Sequence, residues 1–317
     1  MPLARWCMVL GVPALECVPN LSEGRRPEVV ARLAAAVSVP GVRLLDVSSD
    51  PDHNRSVLTL AGEPADLIAG LLALYEAALA AIDLRRHEGV HPRIGAVDVV
   101  PFVPLGDAPM ALAVATARRL GAEVGRRFEL PVFLYEEAAA RPERRSLAAI
   151  RRGGFEGLGH KLADPLWAPD HGPARPHPSA GATVIGARFF LIACNALLDT
   201  ADAAVARAVA GAVREAGGGL PAVRAMGFYL ASRGCAQVSM NLVDYRRTSL
   251  SQALDRVRAE AAARGARVVA RELIGLLPQQ AALDAARDAL QLPALGPGQL
   301  LEERLRATAP GTEKETN

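Results

Sequence analysis

The chain has 317 residues, 50% hydrophobic and 22% charged, with a mean hydropathy of +0.16 and a formal net charge of +2. That balance excludes a disordered, collagen-like or disulfide-framework chain and is too weakly basic to mark a nucleic-acid binder, while the length suits two domains. Arginine supplies all of the 36 basic residues except Lys161 and Lys314, so an anion entering a pocket meets planar, permanently charged forks.

Arg5 followed by the apolar run 6–15 has the outline of a short signal peptide, but Glu16 before Cys17 spoils a small-residue cleavage site. The segment reads as leading into a first strand over 15–19, which ends in the turn-rich Pro19-Asn20-Leu21-Ser22-Glu23-Gly24. A helix follows from Pro27, with Val29, Val30, Leu33 and Val37 at helical spacing. Strands over 42–48 and 55–61 flank the turn cluster Asp50-Pro51-Asp52-His53-Asn54. Pro64 opens a longer helix carrying Ile68, Leu71, Leu72, Tyr75, Leu79 and Ile82 on one face, and a strand over 97–103 closes the unit. The order is βαββαβ.

Next come a helix over 108–127, a strand over 131–135 and a long irregular stretch, 141–181. So long a loop in a compact domain is functional or disordered. The βαββαβ order then returns: strand 189–194, helix 200–216, a hairpin-like pair 222–230 and 235–243, helix 249–263 and strand 266–277. The expected fold is therefore α/β of the α+β kind, two ferredoxin-like subdomains (1–181 and 182–310) with antiparallel or mixed sheets and helices on one face. The polar tail 311–317 is expected to be disordered. The apolar runs 67–82 and 183–198, broken by Glu76 and Arg188, fall short of the roughly 18 residues that span a bilayer. Four widely spaced cysteines suit a reducing cytoplasm, and no membrane partner is expected.

Two segments could carry chemistry. In strand 235–243, Gln237, Ser239 and Asn241 alternate with Val238, Met240 and Leu242; the polar face is either a solvated outer surface or the lining of a polar ligand channel. The segment Arg85-Arg86-His87-Glu88-Gly89-Val90-His91-Pro92-Arg93-Ile94-Gly95 lies between a helix end and a strand. Arg85, Arg86 and His87 can simply offset a helix dipole. His91 is either an exposed turn histidine or, held by Pro92 and Gly95, a group placed to move a proton at neutral pH. The six histidines show no HxH or HExxH spacing, so no metal is expected, and no P-loop, GxGxxG or GxSxG element is present.

Several separated stretches, in order, resemble the formiminotransferase family. They are Leu15-Glu16-Cys17-Val18-Pro19-Asn20-Leu21-Ser22-Glu23-Gly24; His91-Pro92-Arg93-Ile94-Gly95-Ala96 running into Val97-Asp98-Val99-Val100-Pro101-Phe102-Val103-Pro104; Trp167-Ala168-Pro169-Asp170; Gly172-Pro173; Gly181-Ala182-Thr183-Val184; and Ala236-Gln237-Val238-Ser239-Met240-Asn241-Leu242. The resemblance implies two α/β subdomains, a homodimer, an electropositive tunnel for folate, and transfer of a formimino group from N-formimino-L-glutamate to N5 of tetrahydrofolate, a co-substrate, in histidine breakdown. It places the acid–base catalyst on His91 and the folate-contacting loop on Gly172, Pro173, Ala174, Arg175, Pro176, His177, Pro178, Ser179, Ala180 and Gly181. Arg55, Arg93 and Arg175 stand near these motifs and would face substrate carboxylates. Three positions depart from the family pattern: Ser48 replaces an acidic residue, Val90 a glutamate and Ala180 a bulky aromatic. They leave open a formyl-group donor, or a folate-binding paralogue without turnover.

Overall fold

A computed structural model describes residues 14–307; the expected disordered tail lies outside the described residues. The chain divides into two compact units, one running to Phe189 and one from Phe190.

In the first unit, β1 (Leu15–Cys17) and β2 (Asn20–Leu21) are two pieces of one strand path interrupted at Val18-Pro19. They lie between β4 (Arg55–Gly62) and β5 (Val97–Pro104), antiparallel to both. β3 (Arg43–Asp50) pairs with the other side of β4. Between these strands run α1 (Pro27–Ala36) and α2 (Pro64–Ala81), each opened by a proline whose missing N–H costs a helix start nothing. By length and composition α2 could cross a membrane. Its Leu67, Leu71, Leu74 and Tyr75, however, are fully buried in the core of this unit.

Two further strands extend the sheet beyond β5. β7 (Thr183–Ala187) pairs parallel with β5, and β6 (Val132–Glu136) pairs parallel with β7. Here the expectation of helices on one face fails. Val132, Leu134 and Ile185 join the cluster that holds α1, α2 and α3 (Met110–Phe128), while Phe133, Tyr135 and Val184 turn to a second cluster with Ile150, Leu158 and Leu162. Ile150 belongs to α4 (Leu147–Arg151), and Leu158 and Leu162 to α5 (Leu158–Ala163), so the stretch expected to be irregular carries two short helices. Parallel strands must be covered on both faces, and this stretch supplies the second cover. The same pairing puts the division between units after the expected 181/182 boundary, because β7 is bonded into the first sheet.

In the second unit β8 (Ile192–Leu198), α6 (Ala203–Val213), β9 (Val223–Leu230), β10 (Cys235–Leu242), α7 (Leu250–Ala262) and β11 (Val268–Ile274) follow in the expected sequence. The sheet order is β11-β8-β10-β9, all antiparallel. It repeats the order β5-(β1/β2)-β4-β3 of the first unit, strand for strand along the chain. Ser249 and Gln252 close a capping box on α7. Val238, Met240 and Leu242 pack against α6 and α7 as their alternation requires. Gln237, Ser239 and Asn241 take the opposite face, with Gln237 fully buried. Two helices absent from the sequence reading follow: α8 (Gln279–Leu290), which adds Ala281 to this core, and α9 (Leu301–Ala307).

Candidate active site

The His91 turn is built from its far end. Asp98, buried at the start of β5, accepts hydrogen bonds at Oδ1 from the N–H of Ile94 (2.8 Å) and of Gly95 (3.1 Å). The Ser22 hydroxyl donates to the Gly95 carbonyl at 2.7 Å. On the other flank Ala96 N–H donates to the Ala180 carbonyl (3.0 Å) and Ala182 N–H to the Ile94 carbonyl (2.9 Å). Gly95 is squeezed between these two segments: a Cβ there would sit 1.9 Å from the Ala182 carbonyl oxygen. Gly95→Ala is therefore expected to destabilise the protein by about 1–3 kcal/mol, the usual cost of overpacking. A urea midpoint equal to that of the wild type would contradict the close approach.

The β3–β4 turn forms the second wall. Asn54 adopts a left-handed φ of 47°, which asparagine tolerates, and ties two loops together. Its Oδ1 accepts from Gly24 N–H (3.0 Å) and its Nδ2 donates to the Glu88 carbonyl (2.9 Å). His53 and Arg55 flank it. A small pocket of about 10 Å³, room for about one water, lies among His53, Asn54, Arg55, His91, Arg93 and Asp98.

His91 is half-buried, and its ring is fixed at both nitrogens. Arg55 Nη1 lies 2.6 Å from Nε2, and the Pro92 carbonyl lies 2.8 Å from Nδ1. A guanidinium only donates, so Nε2 accepts, and Nδ1 carries the proton it gives to Pro92. The imidazole is neutral. Burial, reinforced by the charges of Arg55 and Arg151, holds its pKa well below the ordinary histidine value. The His53 ring lies 5.7 Å away, centroid to centroid. Behind Arg55, Arg151 of α4 pairs with Asp98 Oδ2 at 2.5 Å. Burial and Arg151 push the Arg55 pKa down to about 9, still a cation at neutral pH.

His87 is held by the same logic: Arg93 Nε donates to its Nδ1 (2.9 Å) and its Nε2 donates to the Asn54 carbonyl (2.8 Å). Burial lowers its pKa too, as it does that of His177. Unfolded histidines take up a proton near pH 6.5, while these three resist it in the fold, so their contribution to stability is present above that pH and is lost as pH falls. The unfolding free energy should drop between pH 7 and pH 5.5, by at most about 1.4 kcal/mol per pH unit for each histidine. Denaturant midpoints that stay constant over that range would refute it.

The folate-loop residues split into two groups. Gly172 has a φ of +78°, and a Cβ there would meet the Leu130 carbonyl at 2.0 Å; it anchors the loop to the start of β6. Pro173, Ala174, Arg175 and Pro176 follow, and exposed Arg175 pairs with Glu129 at 3.4 Å on the surface. At the other end His177 and Gly181 exchange backbone hydrogen bonds, N–H to carbonyl in both directions (2.8 and 3.0 Å). His177 Nδ1 accepts from Ala180 N–H at 3.1 Å, and the Ser179 carbonyl accepts from Leu84 N–H at 2.8 Å. Pro178 is exposed at the tip of this turn. The pairing of 180–182 with 94–96 thus joins this half of the loop directly to the His91 turn.

Of the arginines expected to face carboxylates, Arg93 pairs with Glu156 at 2.9 Å and Arg175 with Glu129, leaving Arg55 as the one aimed at His91. Nothing local to Asp98 or Arg151 in the sequence marks either one as part of a site. Asp98 lay inside a strand-like run, and Arg151 within a stretch without periodicity. Ser48 pairs with Val57 across β3 and β4, Val90 is exposed, and Ala180 is fully buried. Among the described residues, no group of three or more His, Cys, Asp or Glu is gathered to hold a metal.

The model of the formiminotransferase domain's N-terminal subdomain matches residues 14–188, and that of the formiminotransferase domain matches residues 193–292. The chain belongs to the formiminotransferase family. It is thereby a one-carbon transferase. It is 44% identical to a glutamate formimidoyltransferase of Thermoplasma acidophilum, over 93% of this chain and 98% of that protein. It is 43% identical to the glutamate formimidoyltransferase of Streptococcus pyogenes serotype M1, over 88% and 93%. A formimidoyltransferase-cyclodeaminase of Rattus norvegicus is 43% identical over 86% of this formiminotransferase chain but only 51% of its own length.

Proposed function

We propose that the protein is a glutamate formimidoyltransferase that moves the formimino group from N-formimino-L-glutamate to N5 of tetrahydrofolate, as in histidine breakdown, with His91 as its acid–base group. The neutral His91 imidazole, protonated on Nδ1 and carrying its lone pair on Nε2, is the observation that carries the reading. N5 attacks the amidine carbon and forms the new C–N bond. His91 Nε2 takes the N5 proton, then returns it to the glutamate nitrogen as the old C–N bond breaks, so glutamate leaves as a neutral amine. Pro92 and Asp98 keep the ring and its turn in one place while two substrates are held in line.

Gly172 to Gly181 form the folate-contacting loop in this reading, and the bonds from 180–182 to 94–96 support a co-substrate placed against the His91 turn. The repeated strand order supports two ferredoxin-like subdomains, and we further propose a cytoplasmic homodimer. Incubation with tetrahydrofolate and N-formimino-L-glutamate should yield 5-formimino-tetrahydrofolate. Product formed only from N-formyl-L-glutamate would favour the formyl donor, for which the departures at Ser48, Val90 and Ala180 speak. Tight folate binding without transfer from either donor would leave a binding paralogue.

A further inference from the structure

The contact between Arg55 and His91 conflicts with proton transfer at that ring. With Arg55 Nη1 donating at 2.6 Å, the Nε2 lone pair is occupied, and Nδ1 is committed to the Pro92 carbonyl. While this arrangement stands, neither nitrogen can accept a substrate proton. Yet Arg55 is poorly supplied with acceptors. Its Nε and that of Arg151 are buried without a hydrogen-bond partner among the described residues. The carboxylate of Asp98 is divided between two backbone N–H groups and Arg151. Among the described residues, the charged and titratable groups around His91 include Arg55 from β4, His53 from the β3–β4 turn and Arg151 from α4, with His87 and Arg93 lining the same pocket and Asp98 of β5 and Asp50 of β3 acting on Arg55. Two guanidiniums close enough to repel, with buried unsatisfied donors beside a pocket that has room for about one water while Arg55 lies on His91, become a place for an anion once Arg55 swings away.

We propose that a carboxylate of the amino-acid donor binds Arg55 and draws it off His91 Nε2, so that the base is uncovered only when the donor is seated. This rests on the reading of His91 as the acid–base group. Arg55 is then a positioning residue: it keeps the imidazole neutral and covered in the free enzyme and exchanges the imidazole for a better acceptor, a carboxylate, when one arrives. A carboxylate offers Arg55 a charged, bidentate partner, which a neutral imidazole cannot. The neighbouring cation also turns from a group that lowers the His91 pKa into one offset by the bound anion.

The test is an NMR titration of the histidine rings in the ¹⁵N-labelled full chain, with L-glutamate as the probe. In the free protein His91 should carry its proton on Nδ1 and stay neutral well below pH 6.5. Saturating L-glutamate should raise its pKa towards the ordinary value of about 6.5, and sodium chloride at equal ionic strength should not. In Arg55→Met the pKa should start higher and glutamate should not move it. A wild-type His91 titration that glutamate leaves unchanged, or that chloride moves equally, overturns the proposal, and so does an Arg55→Met protein with wild-type His91 behaviour. The wild-type arm decides even where that variant does not fold. Because these arms read the ring and not turnover, they separate the cover from the acid–base role, which fails on its own if His91→Ala retains activity.

Discussion

Replacing His91 with alanine is expected to lower turnover by about 10²–10⁴-fold, the range of a positioned acid–base group, while folate affinity changes little. The separation follows from where the ring works. A proton shuttle contributes in the transition state, whereas the loop 172–181 keeps its own backbone pairing without the imidazole. The acidic limb of the pH–rate profile, which reports protonation of the free base, should flatten in the variant. His91→Asn should fail in the same way, because an amide can hydrogen-bond but cannot carry a proton at neutral pH. Steady-state kinetics with equilibrium folate binding decide the matter. Near-normal turnover moves the role elsewhere, with His177 the next candidate, and lost folate binding makes His91 a binding residue.

Asp170→Ala is expected to cost about 3–5 kcal/mol of stability, the penalty for stranding a buried charge. Arg144 is the largest fully buried side chain among the described residues, and its guanidinium pairs with Asp170 at 2.7 Å, with 1% and 10% of the two side chains exposed. The same arginine donates to the carbonyls of Leu166 and Ala168 and lies over the Phe133 ring, 5.6 Å from its centroid. Asp170 Oδ2 also accepts from Leu134 N–H at 2.8 Å, so the pair stitches the segment before Gly172 to β6. The double replacement Arg144→Met with Asp170→Leu should cost less than Asp170→Ala, because it removes both charges instead of one. Denaturant unfolding of the three proteins provides the comparison. An Asp170→Ala midpoint close to the wild type would show that the charge finds another partner.

The ion pair also shows why the middle of the chain resisted reading. Arg144 and Asp170 lie in a stretch whose Gly, Pro and Arg content hides its two short helices, and nothing local to either residue announces the other. Helices that short carry too little periodicity to be seen; they form because Ile150, Leu158 and Leu162 cover Phe133, Tyr135 and Val184. β7 escaped for a related reason. Its five residues sit in one apolar run with β8, and only pairing with β5 and β6 separates the two strands.

What the sequence by itself determined is local. Alternation of period two, helical spacing of 3.6 and proline or glycine punctuation act over a few residues, and they set the two βαββαβ orders, the inward face of β10 and the rigid Pro/Gly-bracketed turn at His91. The tertiary structure alone decided which distant groups meet. Arg55 reaches His91 because the β3–β4 turn is tied to the loops carrying Gly24 and Glu88 by Asn54. Asp98 binds Arg151 because α4 covers the second face of a parallel sheet extension that no local pattern foretold. The tautomer of His91, its depressed pKa and its covered lone pair all follow from those long-range contacts, since electrostatics depends on distance and burial and not on position along the chain.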